Sequence, residues 1–332
     1  MSTNTMKALI LNSYDVKAFT ASQIAIPTPG QNEVLVKIHA SGVNPIDYKI
    51  REGSATYATP ELPAVLGTDL AGEVVRIGEG VTQFNVGDEV YGLTGGVRGL
   101  QGSLAEYAAV DANLLAHKPK NLSMREAAAL PLVFLTAWEG LVDRAQVKAG
   151  DKVLVQGGAG GVGHMVVQLA KIFGADVYAT ASAAKKAQVE SFGATAIDYR
   201  TVSVDEYMQQ YTQGKGFDII YDTVGGDVLS ASLTAVKPYG HITSCYAFGE
   251  FNIAPSSLRC ATISAVFVLL PMLSGEGRVH HGEILRQLTQ FVEEGKLHPI
   301  VDPRKFTLDS ALEAHDAVEN GSANVKVVID IL

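Results

Sequence analysis

The spacing of apolar positions changes partway along the chain. Up to about residue 120 they come in short runs, at 6–11, 34–40, 67–77, 81–90 and 103–110, separated by Gly, Pro, Asn and Asp. This spacing predicts short strands joined by tight turns, a barrel-like all-β module with one short helical piece at 47–51. From Asn121 the pattern is different. Ser123-x-x-Glu126 is a capping box ahead of an alanine-rich run, Pro131 interrupts that run, and a helix resumes over 132–144. Strands near 152–156, 176–181, 195–198, 217–222 and 239–245 then alternate with helices near 162–173, 184–192, 203–213 and 226–236, which predicts a parallel, doubly wound sheet. The apolar run 261–270 is read as the last strand of that sheet. The tail is read as helices at 281–294 and 308–319, then a closing strand, 325–331, that returns to the first module. The expected domains are 1–122 with 272–332, and 123–271.

The second half is organised around one turn. The apolar strand 152–156 leads into Gly157-Gly158-Ala159-Gly160-Gly161, and Val162, Val166, Leu169 and Ala170 then recur at helical spacing. Gly158, Gly160 and Gly163 stand at G-x-G-x-x-G spacing. In that pattern the first glycine takes a tight turn, the second lets a pyrophosphate approach the backbone, and the third lets helix and strand pack closely. The helix N-terminus adds free N–H groups and the positive end of a dipole. A strand before and a helix after make this a dinucleotide-site candidate.

Composition narrows the partners. The 332 residues are 47% hydrophobic and 18% charged, with a net charge of −9. The acidic balance argues against nucleic acid and anionic membranes, which need a basic surface. An anionic ligand must therefore be held by a local cluster. The two cysteines, Cys245 and Cys260, form no disulfide framework and no metal spacing, which fits a reducing cytoplasm. The longest apolar run, 261–273, is too short to span a bilayer. His280-His281 reads as an exposed turn rather than a ligand pair.

Cofactor choice turns on the second strand of the parallel sheet. It ends in Ser182, where NAD-specific sites carry an acid for the ribose 2′-OH, and Lys185 and Lys186 follow. A 2′-phosphate needs donors and cations where a carboxylate would repel it. Ser182 and Lys185, with Lys186, Tyr199 and Arg200 nearby, favour NADPH over NADH, although a lysine pair on a helix is commonly just solvated.

Together these residues resemble the medium-chain dehydrogenase/reductase superfamily, in its zinc-free quinone oxidoreductase (ζ-crystallin-like) and alkenal/enone reductase branch. The match spans essentially the whole chain. It rests on the glycine block from Gly150-Asp151 to Gln168 and Lys171, and on Gly42-Val43-Asn44-Pro45-Ile46-Asp47-Tyr48-Lys49. Further blocks are Leu66-Gly67-Thr68-Asp69-x-Ala71-Gly72, Gly87-Asp88-x-Val90, Gly102-Ser103-x-Ala105-Glu106-Tyr107, Tyr221-Asp222-x-Val224-Gly225-Gly226 and His298-Pro299-Ile300-Val301-Asp302-Pro303. Zinc members carry Cys where Asn44 stands and His-Glu where Thr68-Asp69 stand, so the resemblance implies no metal.

The resemblance implies an α/β fold with a GroES-like β-barrel catalytic domain and a Rossmann domain that binds NADPH. It implies hydride transfer to a quinone or an α,β-unsaturated carbonyl (an enone or enal). The alternative is an NADPH-binding regulatory or structural protein with little catalysis. By the same resemblance, Asn44 and Thr136 would sit near the nicotinamide, and Gly160, Gly161 and Val162 on the pyrophosphate. Ser182, Lys185 and Tyr199 would hold the 2′-phosphate, and Val224 would lie beside the ribose or ring. Asn324 matches a family cofactor contact, but Asn324-Val325-Lys326 replaces the usual glycine-lysine pattern. Reduction of an enone builds charge on a carbonyl oxygen, which a donor must meet. Tyr48 and Lys49, beside Asn44, are the candidates, with water as another proton source. Tyr57, Phe134, Trp138, Tyr246, Phe248 and Phe267 line an apolar pocket or are ordinary core. A homodimer that extends the parallel sheet across two subunits is expected from the 261–270 edge.

Overall fold

The computed structural model describes residues 4–15 and 18–332. Two compact units divide the chain, Met1–Leu132 with Leu269–Leu332, and Val133–Val268. In chain order the elements are β1 (Thr5–Leu11), β2 (Phe19–Ala25), β3 (Glu33–Val43), α1 (Pro45–Arg51), β4 (Ala64–Val65), β5 (Asp69–Ile77), β6 (Glu89–Leu93), β7 (Tyr107–Asp111), β8 (Leu115–His117) and α2 (Met124–Ala128). There follow α3 (Pro131–Trp138), β9 (Lys152–Gln156), α4 (Gly161–Ile172), β10 (Asp176–Ala181), α5 (Lys186–Ser191), β11 (Thr195–Asp198), α6 (Val204–Thr212), β12 (Phe217–Asp222), α7 (Gly226–Ala235), β13 (Val236–Ser244), α8 (Ala254–Ser257) and β14 (Thr262–Ala265). The tail is α9 (Leu270–Ser274), α10 (Arg278–Glu293), β15 (Phe306–Thr307), α11 (Ala311–Glu319) and β16 (Val327–Asp330).

In the first unit β3 is the hub. It pairs antiparallel with β5, β7 and β16 in a seven-stranded sheet, so the last strand of the chain sits beside the third. β1, β2 and β4 form a separate three-stranded sheet. The Ser123–Glu126 capping box forms as expected and starts α2. That helix packs on β3 and β5, where Gly42 leaves room: a Cβ there would fall 2.1 Å from the Ala128 carbonyl oxygen. Arg51, 3% exposed, ties α1 to α11 through Asp316 and Glu319 at 2.9 and 2.8 Å.

The second unit is a six-stranded, all-parallel sheet in the order β11-β10-β9-β12-β13-β14. Its strands read as near-continuous apolar runs because both faces are covered. Val153, Leu154 and Val155 of β9 have no exposed surface, and each such burial is worth roughly 1.5–3 kcal/mol. Leu154, Ile197, Phe217, Ile220, Leu229, Leu233 and Ile242 form the core on one side.

Several sequence expectations change. The helix read over 132–144 is α3 followed by wider, π-type turns over Glu139–Arg144. The run 261–270 gives a strand only over Thr262–Ala265, because its partner β13 ends at Ser244, opposite Ala265; beyond that point there is no ladder to extend. His280 and His281 do not form an exposed turn. They open the second half-turn of α10, with His280 beside Glu283 and His281 only 1% exposed. Burial lowers His281 to about 4, so it is neutral at ordinary pH. β2 and β4 leave little trace in the sequence pattern, since one alternates weakly and the other has only two residues.

Candidate functional site

In the parallel unit, β9 has β10 on one side and β12 on the other, so strand order reverses beside it. Open parallel sheets bind ligands at the carboxyl ends of the strands at such a switch point. The glycine turn leaves β9 there. Its left-handed residue is Gly157, at φ 77°, not Gly158 as the spacing suggested. Gly158 answers a packing need instead, since a Cβ would lie 2.5 Å from the Ala179 Cβ of β10. Gly163 holds α4 against the turn, since a Cβ would fall 2.1 Å from the Gly157 carbonyl oxygen. Gly160, the N-cap of α4, is different: a Cβ would meet only the Gly157 oxygen, at 3.3 Å. Its outer face is open, and Gly161 and Val162 beside it are half-exposed. The turn is braced from β10, where Thr180 accepts from the Gly157 N–H at 2.9 Å and donates to Gln156 at 2.9 Å.

The other cofactor candidates of this unit lie at the same strand ends. Ala181 of β10 pairs with Asp198 of β11, so Ser182 and Tyr199 leave the sheet side by side. Ser182 and Lys185 are half-buried and Tyr199 is exposed, with the Arg200 guanidinium 5.7 Å from its ring. Lys186 faces Glu190 at 3.6 Å and is exposed, which separates it from Lys185. Val224, 44% exposed, follows β12; a Cβ on Gly157 would touch it at 3.0 Å. Thr136 is buried on α3, and its carbonyl accepts the Tyr221 hydroxyl. An open glycine cradle and a helix N-terminus at the strand ends fit a dinucleotide, with polar groups and a lysine beyond β10. Phe134 is core, whereas Tyr246 and Phe248 form a ring pair 5.7 Å apart with exposed surface.

The candidates of the first unit gather at the start of α1. Asn44 is the N-cap, Pro45 begins the helix, and the Asn44 N–H donates to Asp47 at 2.7 Å. Asn44 itself has no exposed surface. Its amide nitrogen donates to Asp69 at 2.8 Å and to Thr68 at 3.2 Å, and its amide oxygen accepts from Lys326. Lys326 also donates to the Val43 carbonyl at 3.1 Å, and Thr68 donates to Asp47 at 3.3 Å. Asp69 takes the Leu132 N–H at 3.0 Å on its other oxygen. Asp47, Thr68, Asp69 and Lys326 are all at most 2% exposed. Burial raises Asp69 to about 7 and Asp47 to about 6, and it lowers Lys326. Tyr48 and Lys49, half-buried, ride on the helix that this cluster caps. Asn324 donates its N–H to Asp302 at 2.7 Å, and Asp302 in turn is held by both arms of Arg304.

Sequence reasoning missed Lys326 and the carboxylates around it as one group. A signal was there: Lys326 is a lone cation in Val325-Lys326-Val327-Val328-Ile329, where a strand should be apolar.

Comparison with known proteins places the chain. An alcohol dehydrogenase GroES-like domain profile matches residues 30–120, and a profile described as zinc-binding dehydrogenase matches 192–329. A 2-methylene-furan-3-one reductase of Solanum lycopersicum is 39% identical over 93% of this chain and 74% of its own length. The chain belongs to the medium-chain dehydrogenase/reductase family, in its quinone oxidoreductase and alkenal/one oxidoreductase branch. An NADPH-dependent alkenal/one oxidoreductase of Arabidopsis thaliana is 36% identical over 98% of the chain and 79% of that protein. Among solved structures, an alcohol dehydrogenase superfamily protein of Novosphingobium aromaticivorans superposes with a TM-score of 0.96 at 49% identity, covering 98% and 100% of the two chains. The quinone oxidoreductase of Coxiella burnetii gives 0.81 at 31% identity over 99% and 100%.

The name of one matching profile raises the question of zinc. Zn²⁺ takes Cys sulfur, His nitrogen or carboxylate oxygen in tetrahedral geometry. The cluster at Asn44 instead presents an amide, a hydroxyl, two carboxylates and an ammonium bonded to the amide oxygen and the Val43 carbonyl. That donor set does not fit zinc, and no group of three or more His, Cys, Asp or Glu able to hold a metal occurs among the described residues. No helix among them is long and apolar enough to cross a membrane.

Proposed function

We propose that this protein is an NADPH-dependent reductase of α,β-unsaturated carbonyls or quinones that works without zinc. The observation that carries the reading is the open glycine turn at the switch point, with Ser182 and Lys185 where an NAD-specific site would place an acid. When bound, NADPH supplies the hydride. The chain's own part begins with binding. Backbone N–H groups of Gly161 and Val162 meet the pyrophosphate, and Ser182, Lys185 and Tyr199 hold the 2′-phosphate. Gly158 and Gly163 keep the turn in shape, and Thr136, Val224 and Asn324 complete the cofactor contacts. Tyr48 through its hydroxyl, or Lys49 through its ammonium, stabilises the oxygen that gains charge and delivers a proton. Asn44, the buried N-cap of α1, sets the start of the helix that carries these donors. The names of the tomato and Arabidopsis relatives support this choice of acceptor class and cofactor.

The test is oxidation of NADPH against a panel of 2-alkenals, enones and 1,4-quinones. Turnover with at least one acceptor is expected; tight NADPH binding with none would replace the reductase with a cofactor-binding protein. We further propose a homodimer through β14. Among the described residues this strand ends the parallel sheet with no partner on its far side, and Leu258, Tyr239 and Ile263 of the same unit are 88%, 82% and 43% exposed. Sedimentation of a monomer at micromolar concentration would reject that assembly.

A further inference from the structure

Two buried carboxylates and one buried ammonium make the cluster at Asn44 unusual. Unpaired buried charge is expensive, and removing one member of a buried pair exposes that penalty. Lys326 is delivered to it under constraint. Val325, just before it, is a β-branched residue at φ 69°, a conformation such residues rarely adopt. The backbone on either side is pinned: the Asp302 N–H donates to the Lys326 carbonyl at 2.7 Å, and the Lys326 N–H donates to Ile300 at 3.2 Å. The ammonium bonds the Val43 carbonyl of β3 and the Asn44 amide, and through that amide it is linked to Asp69 of β5 and to Thr68, which bonds Asp47 of α1; the charges that act on it are those of Asp69 and Asp47. Arg51 turns away, to Asp316 and Glu319.

We propose that Lys326 is a positioning residue, an internal cation that does structurally what a metal ion would do. It draws Asn44, Asp47 and Asp69 into one arrangement and so fixes the N-terminus of α1, the helix that carries Tyr48 and Lys49. The ammonium orients the Asn44 amide: with its oxygen held by Lys326, its N–H groups must point to Thr68 and Asp69. The Asn44 backbone then bonds Asp47 and closes the cap. One Asp47 oxygen, Oδ1, is buried without a hydrogen-bond partner, so no direct bond offsets its charge and the attraction of the nearby ammonium matters more. The effect on Tyr48 and Lys49 rests on the reductase reading; the effect on the cluster does not.

The test is a charge-balance cycle on the full chain with Lys326→Met, Asp69→Asn, the double variant and Lys326→Arg. Thermal unfolding at pH 7.5 reads the cluster without any substrate. Lys326→Met is expected to lower Tm, and the double variant, which removes one charge of each sign and so returns the cluster to its wild-type net charge, to regain at least about 2 °C. Should Lys326→Met fail to fold, recovery of soluble, folded double variant carries the same information. A double variant no more stable than Lys326→Met alone overturns the internal-cation role. Kinetics read the consequence. With the acceptor that the wild type turns over best, Lys326→Arg is expected to keep NADPH affinity within about twofold while kcat drops about tenfold. Equal loss of affinity and kcat, or no loss of either, refutes positioning, whereas a wild type without turnover refutes the reductase reading and leaves the Tm cycle to stand.

Discussion

The glycine turn of the parallel unit and the polar cluster of the first unit solve opposite problems. The turn works by leaving side chains out: Gly160 has no Cβ, and the backbone is bare toward a ligand. The cluster works by burying charge, with Asn44, Asp47, Asp69 and Lys326 all but hidden. The turn's residues lie within seven positions of sequence, 157–163; the cluster joins Asn44 to Lys326 across a separation of 282. Short-range backbone geometry is robust to the rest of the chain, whereas a long-range ionic group exists only after several strands have paired.

The difference can be probed where it is largest. Asp69 holds its proton up to about 7, against an ordinary 3.8. The folded state therefore binds more proton than the unfolded one between those values. The stabilisation this gives is full below about pH 4 and is lost as pH rises toward 7. Relative to Asp69→Asn, the wild type should lose stability across that window with a slope approaching about 1.4 kcal/mol per pH unit. His281 and His315, held neutral by burial, act in the other direction, losing stability as pH falls, but they are common to both proteins and cancel. A urea-unfolding series at several pH values measures the difference; a flat difference would mean that the buried proton is absent.

The turn should break sterically rather than electrostatically. Gly163→Ala is expected to cost about 1–3 kcal/mol of stability, because its Cβ has nowhere to go. Gly160→Ala should unfold near the wild-type temperature yet bind NADPH far more weakly, since only the ligand side is filled. Parallel thermal scans and nucleotide fluorescence would show both; equal Tm losses would erase the distinction between packing and cradle glycines. Smaller effects should sort the lysines. Lys185→Ala is expected to weaken NADPH roughly tenfold and NADH little, as for a charge-assisted contact to a 2′-phosphate. Lys186→Ala should change either affinity by no more than about 0.5 kcal/mol, because it faces Glu190 in an exposed i,i+4 pair.

Much of the fold was readable from local pattern. The strand–helix alternation from Lys152 onward places β9 to β13 and α4 to α7 within a few residues, because buried parallel strands are apolar runs and their helices carry 3.6-residue periodicity. The Ser123 and Ser203 capping boxes both sit at helix starts and both are visible as Ser-x-x-Glu. What was misread depends on partners. The 261–270 run looked like one long strand, and its length was set by where β13 stops. His281 looked exposed from its polar neighbours, and α10 turns it inward.

The sequence by itself determined the glycine turn, the parallel order around it and the loss of the acid after β10, because each is a property of adjacent residues. Only the tertiary structure decided that Asn44 is a buried cap rather than an open side chain, and that Lys326 is its cation. The reason is physical: the desolvation that shifts Asp69 and Asp47, and the pairing that offsets it, arise only when β3, β5, α1 and the start of β16 have closed around the same few atoms.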